Sequence, residues 1–168
     1  MLFVDLNLTK NETNSLILGL NISFSNQYIN MKKFDKASVS IDLAIEMAKE
    51  AMKKAAEIGL NVSVSIVDES GVEKAFARMD GAPLISAETA RKKAVLAVGF
   101  GIPTGSSWYN FIKDDPILMH GADQLPGFIL LGGGSPIQID GQLCGAIGIS
   151  GGHYSQDELC VSAALRLI

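Results

Sequence analysis

The segment VSVSIVDESGVEKAFARMDGA, residues 62–82, decides the fold. Val62, Val64 and Ile66 alternate with Ser63 and Ser65, the period-two pattern of a strand with one apolar face. Asp68-Glu69-Ser70-Gly71 then turns the chain, because Asp bonds forward to the backbone and Gly supplies a left-handed conformation, and Val72 to Met79 returns as an antiparallel partner.

Helical periodicity brackets this hairpin. Upstream, Leu43, Met47, Ala51, Ala55 and Ile58 recur at helical spacing, with Ser40 as N-cap and Gly59 as terminator. Downstream, a second helix starts at Ser86 as cap, buries Ala90, Ala94, Ala97 and Val98, and ends among Gly99, Gly101 and Pro103. The stretch from Thr104 to Gln124 has no steady period and reads as a lid or a connection carrying short helices.

The second decisive segment is LGGGSPIQIDGQLCGAIGISGGHYSQDE, residues 131–158. Phe128 to Leu131 reads as a short strand and Ser135 to Ile139 as another. Asp140-Gly141 is a two-residue hairpin signal leading into Leu143 to Ser150, so three adjacent antiparallel strands are expected here. The last helix is expected to begin at Ser155 with a Ser155/Glu158 capping box and to bury Leu159, Ala163 and Leu167. The order helix, hairpin, helix, three strands, helix gives an α+β fold with a five-stranded antiparallel sheet flanked by helices. No strand-helix-strand repeat points to a parallel sheet.

The first 30 residues are Asn-rich, with strand-like runs at Phe3 to Leu8 and Leu16 to Phe24. They read as an N-terminal extension, residues 1–30, attached to a domain over 31–168, since 30 residues cannot enclose a core. A true start at Met31 and a loosely attached arm are the alternatives.

Composition narrows the function. Of the 168 residues 48% are hydrophobic and 19% charged, which favours a homo-oligomer over a monomer unless alanine and glycine simply fill the core. A net charge of −4 without any clustered Lys and Arg argues against nucleic acid as a partner. Cys144 and Cys160 lack CxxC spacing and read as core residues in a reducing compartment. No apolar stretch reaches the ~18 residues a membrane helix needs, and the start lacks the basic residues of a secretory signal, so a cytoplasmic location without membrane contact is expected.

Several residues can carry chemistry. Gly132-Gly133-Gly134 is followed by a strand and lacks Lys-Ser/Thr, so it reads as glycine for close strand approach and not as a phosphate loop. Gly148 to Gly152, with Gly151 and Gly152 nearest the last helix, can offer N–H groups to a carboxylate or phosphate. Arg78 and Lys93 can pair with ligand carboxylates, or instead form Arg78–Asp80 and Lys93–Asp68 ion pairs. His120 and His153 lie in glycine-flanked loops where a ring can ligate iron or another transition metal, although capping and surface roles serve a histidine equally. Met119 can be a soft axial ligand or core. There is no zinc-type cluster, no G-x-S-x-G elbow and no spaced carboxylate pair.

Arg78-Met79-Asp80-Gly81-Ala82, the strand and turn ending in Asp68 and Gly71, Lys93-Ala94 followed by Pro103-Thr104, and the Gly145 to Asp157 segment together carry a resemblance. The run from about Met31 to Ile168 resembles the GlcG/HbpS-like family, which also supplies the C-terminal domain of PduO-type corrinoid adenosyltransferases. The resemblance implies a profilin-like sheet, assembly into higher oligomers and, from some members, haem as cofactor. On it rests the expectation of an oligomeric small-ligand-binding protein for haem or a similar planar, carboxylate-bearing molecule. Arg78, Lys93, Thr104, Gly151 and Gly152 are then the ligand-binding set and His120 or His153 the metal ligand. The rival expectation is an accessory enzyme or auxiliary protein acting on a small organic acid or a corrinoid. A third is an assembly module without a ligand.

Overall fold

In the computed structural model, which describes residues 33–168, the Asp140-Gly141 turn closes a hairpin in which both turn residues have positive φ, 51° and 76°. That backbone matches the twist of the two strands it joins, β3 (Gly134–Ile139) and β4 (Gln142–Ser150). The earlier hairpin joins β1 (Ser63–Asp68) to β2 (Glu73–Arg78), and the Asp68 carboxylate accepts from Ser70 N at 2.9 Å and Val72 N at 3.0 Å. β1 pairs antiparallel with β4, which gives the sheet order β2-β1-β4-β3.

The sheet therefore has four strands among the described residues, where five were expected. Phe128 to Leu131 is not a strand. Phe128, Ile129 and Leu130 instead pack with Leu96, Ile112 and Trp108 in a separate apolar cluster. The Trp108 ring meets Phe128 edge-on at 5.3 Å. A four-residue apolar run satisfies either outcome, and here three of its residues pack in the cluster of the indole. The expected 1–30 extension lies outside the described residues, which here run from Lys33.

Helix α1 (Ile41–Glu57) is capped by Ser40, whose hydroxyl accepts from Leu43 N at 3.2 Å. Its buried stripe is Ala44, Met47, Ala48, Ala51 and Ala55, and it shares one cluster with Val64, Ile66, Ile147 and Ile149 and with Cys160, Val161 and Ala164 of α5 (Tyr154–Leu165). Both cysteines are free thiols buried in this cluster.

Helix α2 (Ser86–Phe100) covers the opposite sheet face, so the β1 serines are buried too and that strand has no solvent side. The interface is built from small groups. A methyl on Gly148 of β4 would overlap Ala90 O and come within 2.6 Å of Ala94 N, so only glycine lets the helix backbone approach this closely. Ser86 is the first helical residue and not the cap. Its hydroxyl bonds Ser63 Oγ at 2.8 Å and Pro83 O at 2.6 Å, tying the helix start to the sheet.

The Thr104 to Gln124 stretch carries α3 (Ser106–Ile112), α4 (Pro116–Gly121) and a single 3-10 turn. Among the described residues no helix is long and apolar enough to cross a membrane.

Candidate functional site

The site grows from two charges placed on helix faces that pack inward. Lys93 follows Ala90 by three positions and precedes Ala94 and Ala97 on the buried stripe of α2, while Asp157 begins the stripe Asp157, Cys160, Val161, Ala164 of α5. Each side chain is 1% exposed, and Lys93 Nζ donates to Asp157 Oδ2 and to Ile149 O, both at 2.8 Å. Gly152 N donates to Asp157 Oδ1 at 3.2 Å, and Gly151 N adds a further bond. Burial pushes the Lys93 ammonium down from its usual range and the Asp157 carboxyl up. Their mutual attraction and the glycine N–H groups oppose that drift. The direct 2.8 Å contact and the N–H donors on the carboxylate favour the ionised pair.

This arrangement answers several expectations. The N–H groups at the α5 start are turned on an anion, and that anion is the chain's own Asp157. Lys93 pairs with Asp157 and not with Asp68, and Arg78 Nη2 donates to Ala82 O at 2.6 Å, with no ion pair to Asp80. The cap of α5 is His153, two residues before the expected Ser155. His153 Nδ1 accepts from Ser155 N at 3.4 Å, and the Gln156 side chain accepts from His153 N at 3.1 Å. The buried face carries Asp157, Cys160, Val161 and Ala164, so Leu159 and Leu167, expected to be buried, are exposed.

Thr104 is buried and clasps the first residue of β3. Its backbone N donates to Gly134 O at 3.0 Å and its hydroxyl accepts from Gly134 N at 2.9 Å. Gly133 O in turn accepts from Ile149 N at 2.7 Å, and a methyl on Gly133 would come within 3.0 Å of Lys93 Nζ. The glycine run thus lays the 132–134 backbone directly over the ion pair, as its reading for close approach requires. Lys93, Thr104, Gly151 and Gly152 are brought into one framework.

Outside that framework opens a cleft of about 300 Å³. Tyr109 of α3 and Tyr154 of α5 line it together with Leu130 and Leu131. The backbone at Gly105, Ser106 and Gly132 completes it. His153 stands beside the cleft, its ring 4.3 Å from that of Tyr154. Arg78 is at the same end of the sheet: Ser63 pairs with Arg78 on one side and with Ser150 on the other, two strand spacings or roughly 10 Å across. His120 is exposed on α4 and is not among the cleft residues. No group of three or more His, Cys, Asp or Glu that could hold a metal ion occurs among the described residues.

Sequence reasoning missed Asp157, Glu158 and the cleft tyrosines. The i, i+3, i+4, i+7 spacing of Asp157 with Cys160, Val161 and Ala164 was the available signal for the first.

A family profile described as haem degrading protein HbpS-like matches residues 39–166. The corrinoid adenosyltransferase PduO of Salmonella typhimurium is 34% identical over 125 residues, which is 73% of this chain but 37% of PduO. The crystal structure of a PduOC–haem complex superposes with a TM-score of 0.72 at 30% identity, covering 79% of this chain and 96% of that one. The Streptomyces reticuli HbpS double mutant gives 0.73 at 28% identity, with 81% and 90% covered.

Proposed function

Because this chain belongs to the HbpS-like family of haem-degrading proteins, we propose that it binds haem or a similar planar, carboxylate-bearing ligand. The observation that carries the reading is the apolar cleft between Tyr109 and Tyr154 with His153 at its edge. Two tyrosine rings and two leucines suit the face of a macrocycle. A volume of about 300 Å³ is at the small end of ligand pockets, so the cleft takes one edge of a porphyrin and leaves the other outside. The solved haem complex of the PduO C-terminal region supports the choice of ligand.

In this reading Lys93, Thr104, Gly151 and Gly152 hold the cleft wall in place through the bonds already described. Arg78, whose partner among the described residues is Ala82 O, is the residue we assign to a ligand carboxylate. His153 is the first choice as iron ligand. Its Nδ1 now accepts from Ser155 N, and ligation through Nε2 requires the other tautomer, in which Nδ1–H donates to Ser155 Oγ at 2.9 Å. His120 is the second choice. Bound haem would supply an iron centre for redox and oxygen chemistry.

Assembly into a homo-oligomer belongs to the same proposal and is supported by exposed apolar side chains such as Leu84 at 87% and Ile117 at 83%. The rival, an accessory enzyme or auxiliary protein acting on a small organic acid or a corrinoid, draws on the likeness to PduO. Absorbance titrations with haem and with cobalamin separate the two. A saturable Soret change with haem alone is expected, and a response to cobalamin alone would favour the rival.

A further inference from the structure

The polar groups of the cleft are all neutral. Ser106, Tyr109, Leu130, Leu131 and Tyr154 supply its side chains, and no Lys, Arg or His is among the described lining residues. The wall behind adds no spare positive charge, because Lys93 is held by Asp157 at 2.8 Å and also faces the Glu158 carboxylate. A carboxylate seated in the cleft would leave water for neutral donors without a counterion, and that is costly. Arg78, by contrast, is exposed at the end of β2 and is not part of the lining. Apolar surface is therefore inside the cleft and available positive charge is outside it.

We propose that the cleft selects its macrocycle by where the carboxylates stand: it admits a ring edge that carries only alkyl or vinyl groups, and the acids of the ligand stay on the opposite edge, in water and toward Arg78. The ligand class is then a porphyrin whose acids share one side of the ring, as in haem. Porphyrins with an acid on every pyrrole are refused, since each of their edges would bring a carboxylate into the cleft. This rests on the reading of the cleft as the seat of a porphyrin edge and adds which edge enters. Leu131 lines the cleft and is 51% exposed, so a new side chain there changes the lining without entering the core.

The test titrates the full chain with haem and with coprohaem, in which every pyrrole carries a carboxyethyl group, followed at the Soret band and by quenching of the single tryptophan, Trp108, next to Tyr109. The wild type is expected to bind haem at least about tenfold tighter than coprohaem, the effect of a carboxylate without a counterion. Leu131→Arg sets a counterion in the lining and should bring the two affinities within about threefold, chiefly by improving coprohaem. Arginine is larger than leucine, so a preference set by size would widen instead. Ser106→Lys repeats the rescue from α3, and thermal melts accompany each variant. Equal affinities in the wild type, or a preference that both variants leave unchanged or widen, would overturn the proposal while the haem reading stands. A wild type that binds neither porphyrin would overturn the haem reading and this proposal with it.

Discussion

Lys93→Met should be among the costliest single substitutions in this domain, and its cost should depend on pH in one direction. Removing the ammonium leaves Asp157 at 1% exposure with only glycine N–H groups for company and takes a donor from Ile149 O. The chain's cheapest response is to fold with Asp157 protonated. An aspartate titrating near 3.9 when unfolded costs about 4 kcal/mol to protonate at pH 7, within the about 3–5 kcal/mol expected for breaking a buried pair. The carboxyl then has a folded value above its unfolded one, so its penalty is absent below the unfolded value and grows as pH rises. The deficit against wild type should thus shrink by about 1.4 kcal/mol for each pH unit lowered from 7 toward 4. Asp157→Leu strands Lys93 in the same way. The double variant Lys93→Met/Asp157→Leu removes both charges, and Gly152 is exposed enough for water to satisfy its N–H, so a loss of about 1–2 kcal/mol is expected. Urea unfolding from pH 5 to 8 measures all four proteins, and the cycle should give a coupling above about 2 kcal/mol. Additive single deficits, or a Lys93→Met deficit that does not change with pH, would refute the reasoning.

Three further outcomes follow from the same geometry. Burial pushes the Cys160 thiol from 9.0 up to about 11, helped by the Asp157 charge, so its contribution to stability is complete below pH 9 and is lost as pH rises toward 11. Against Cys160→Ala, wild type should lose about 2–3 kcal/mol over that window in chemical denaturation, and a constant difference would contradict it. Gly148→Ala drives a methyl into the α2 backbone and should cost about 1–3 kcal/mol, read as a lowered melting temperature; an unchanged melt would show that the helix can move away. Light scattering should show at least a dimer, and a monomer at every concentration would remove the assembly proposal.

The two hairpins and the inward alanines of α2 were legible because each is written locally, in alternation, turn residues and helical period. What was not legible depended on partners distant in sequence. Phe128 to Leu131 has strand composition, and the structure packs its first three residues against Leu96, Trp108 and Ile112, which are distant in sequence. The α5 cap expected at Ser155 with Glu158 is His153 with Gln156 in the structure, because an imidazole nitrogen accepts from the helix start as a hydroxyl does. The Lys93–Asp157 bond explains the helix-start glycines better than an external anion does, yet nothing near Gly151 announces that its anion is Asp157 and its counterion lies 64 residues upstream. Arg78, Lys93 and Thr104 drew on the family likeness, and the histidines on their glycine-flanked loops. The cleft came from the fold, with His153 beside it and His120 outside its lining.

Haem affinity of the wild type compared with Leu131→Trp tests the central claim most directly, since the new indole occupies the space between Tyr109 and Tyr154 without touching the ion pair. Affinity is followed at the Soret band at fixed pH and salt, beside thermal melts of both proteins. The account predicts saturable binding to the wild type and at least a tenfold loss in the variant at an unchanged melting temperature. Equal haem affinity in the two proteins would contradict it.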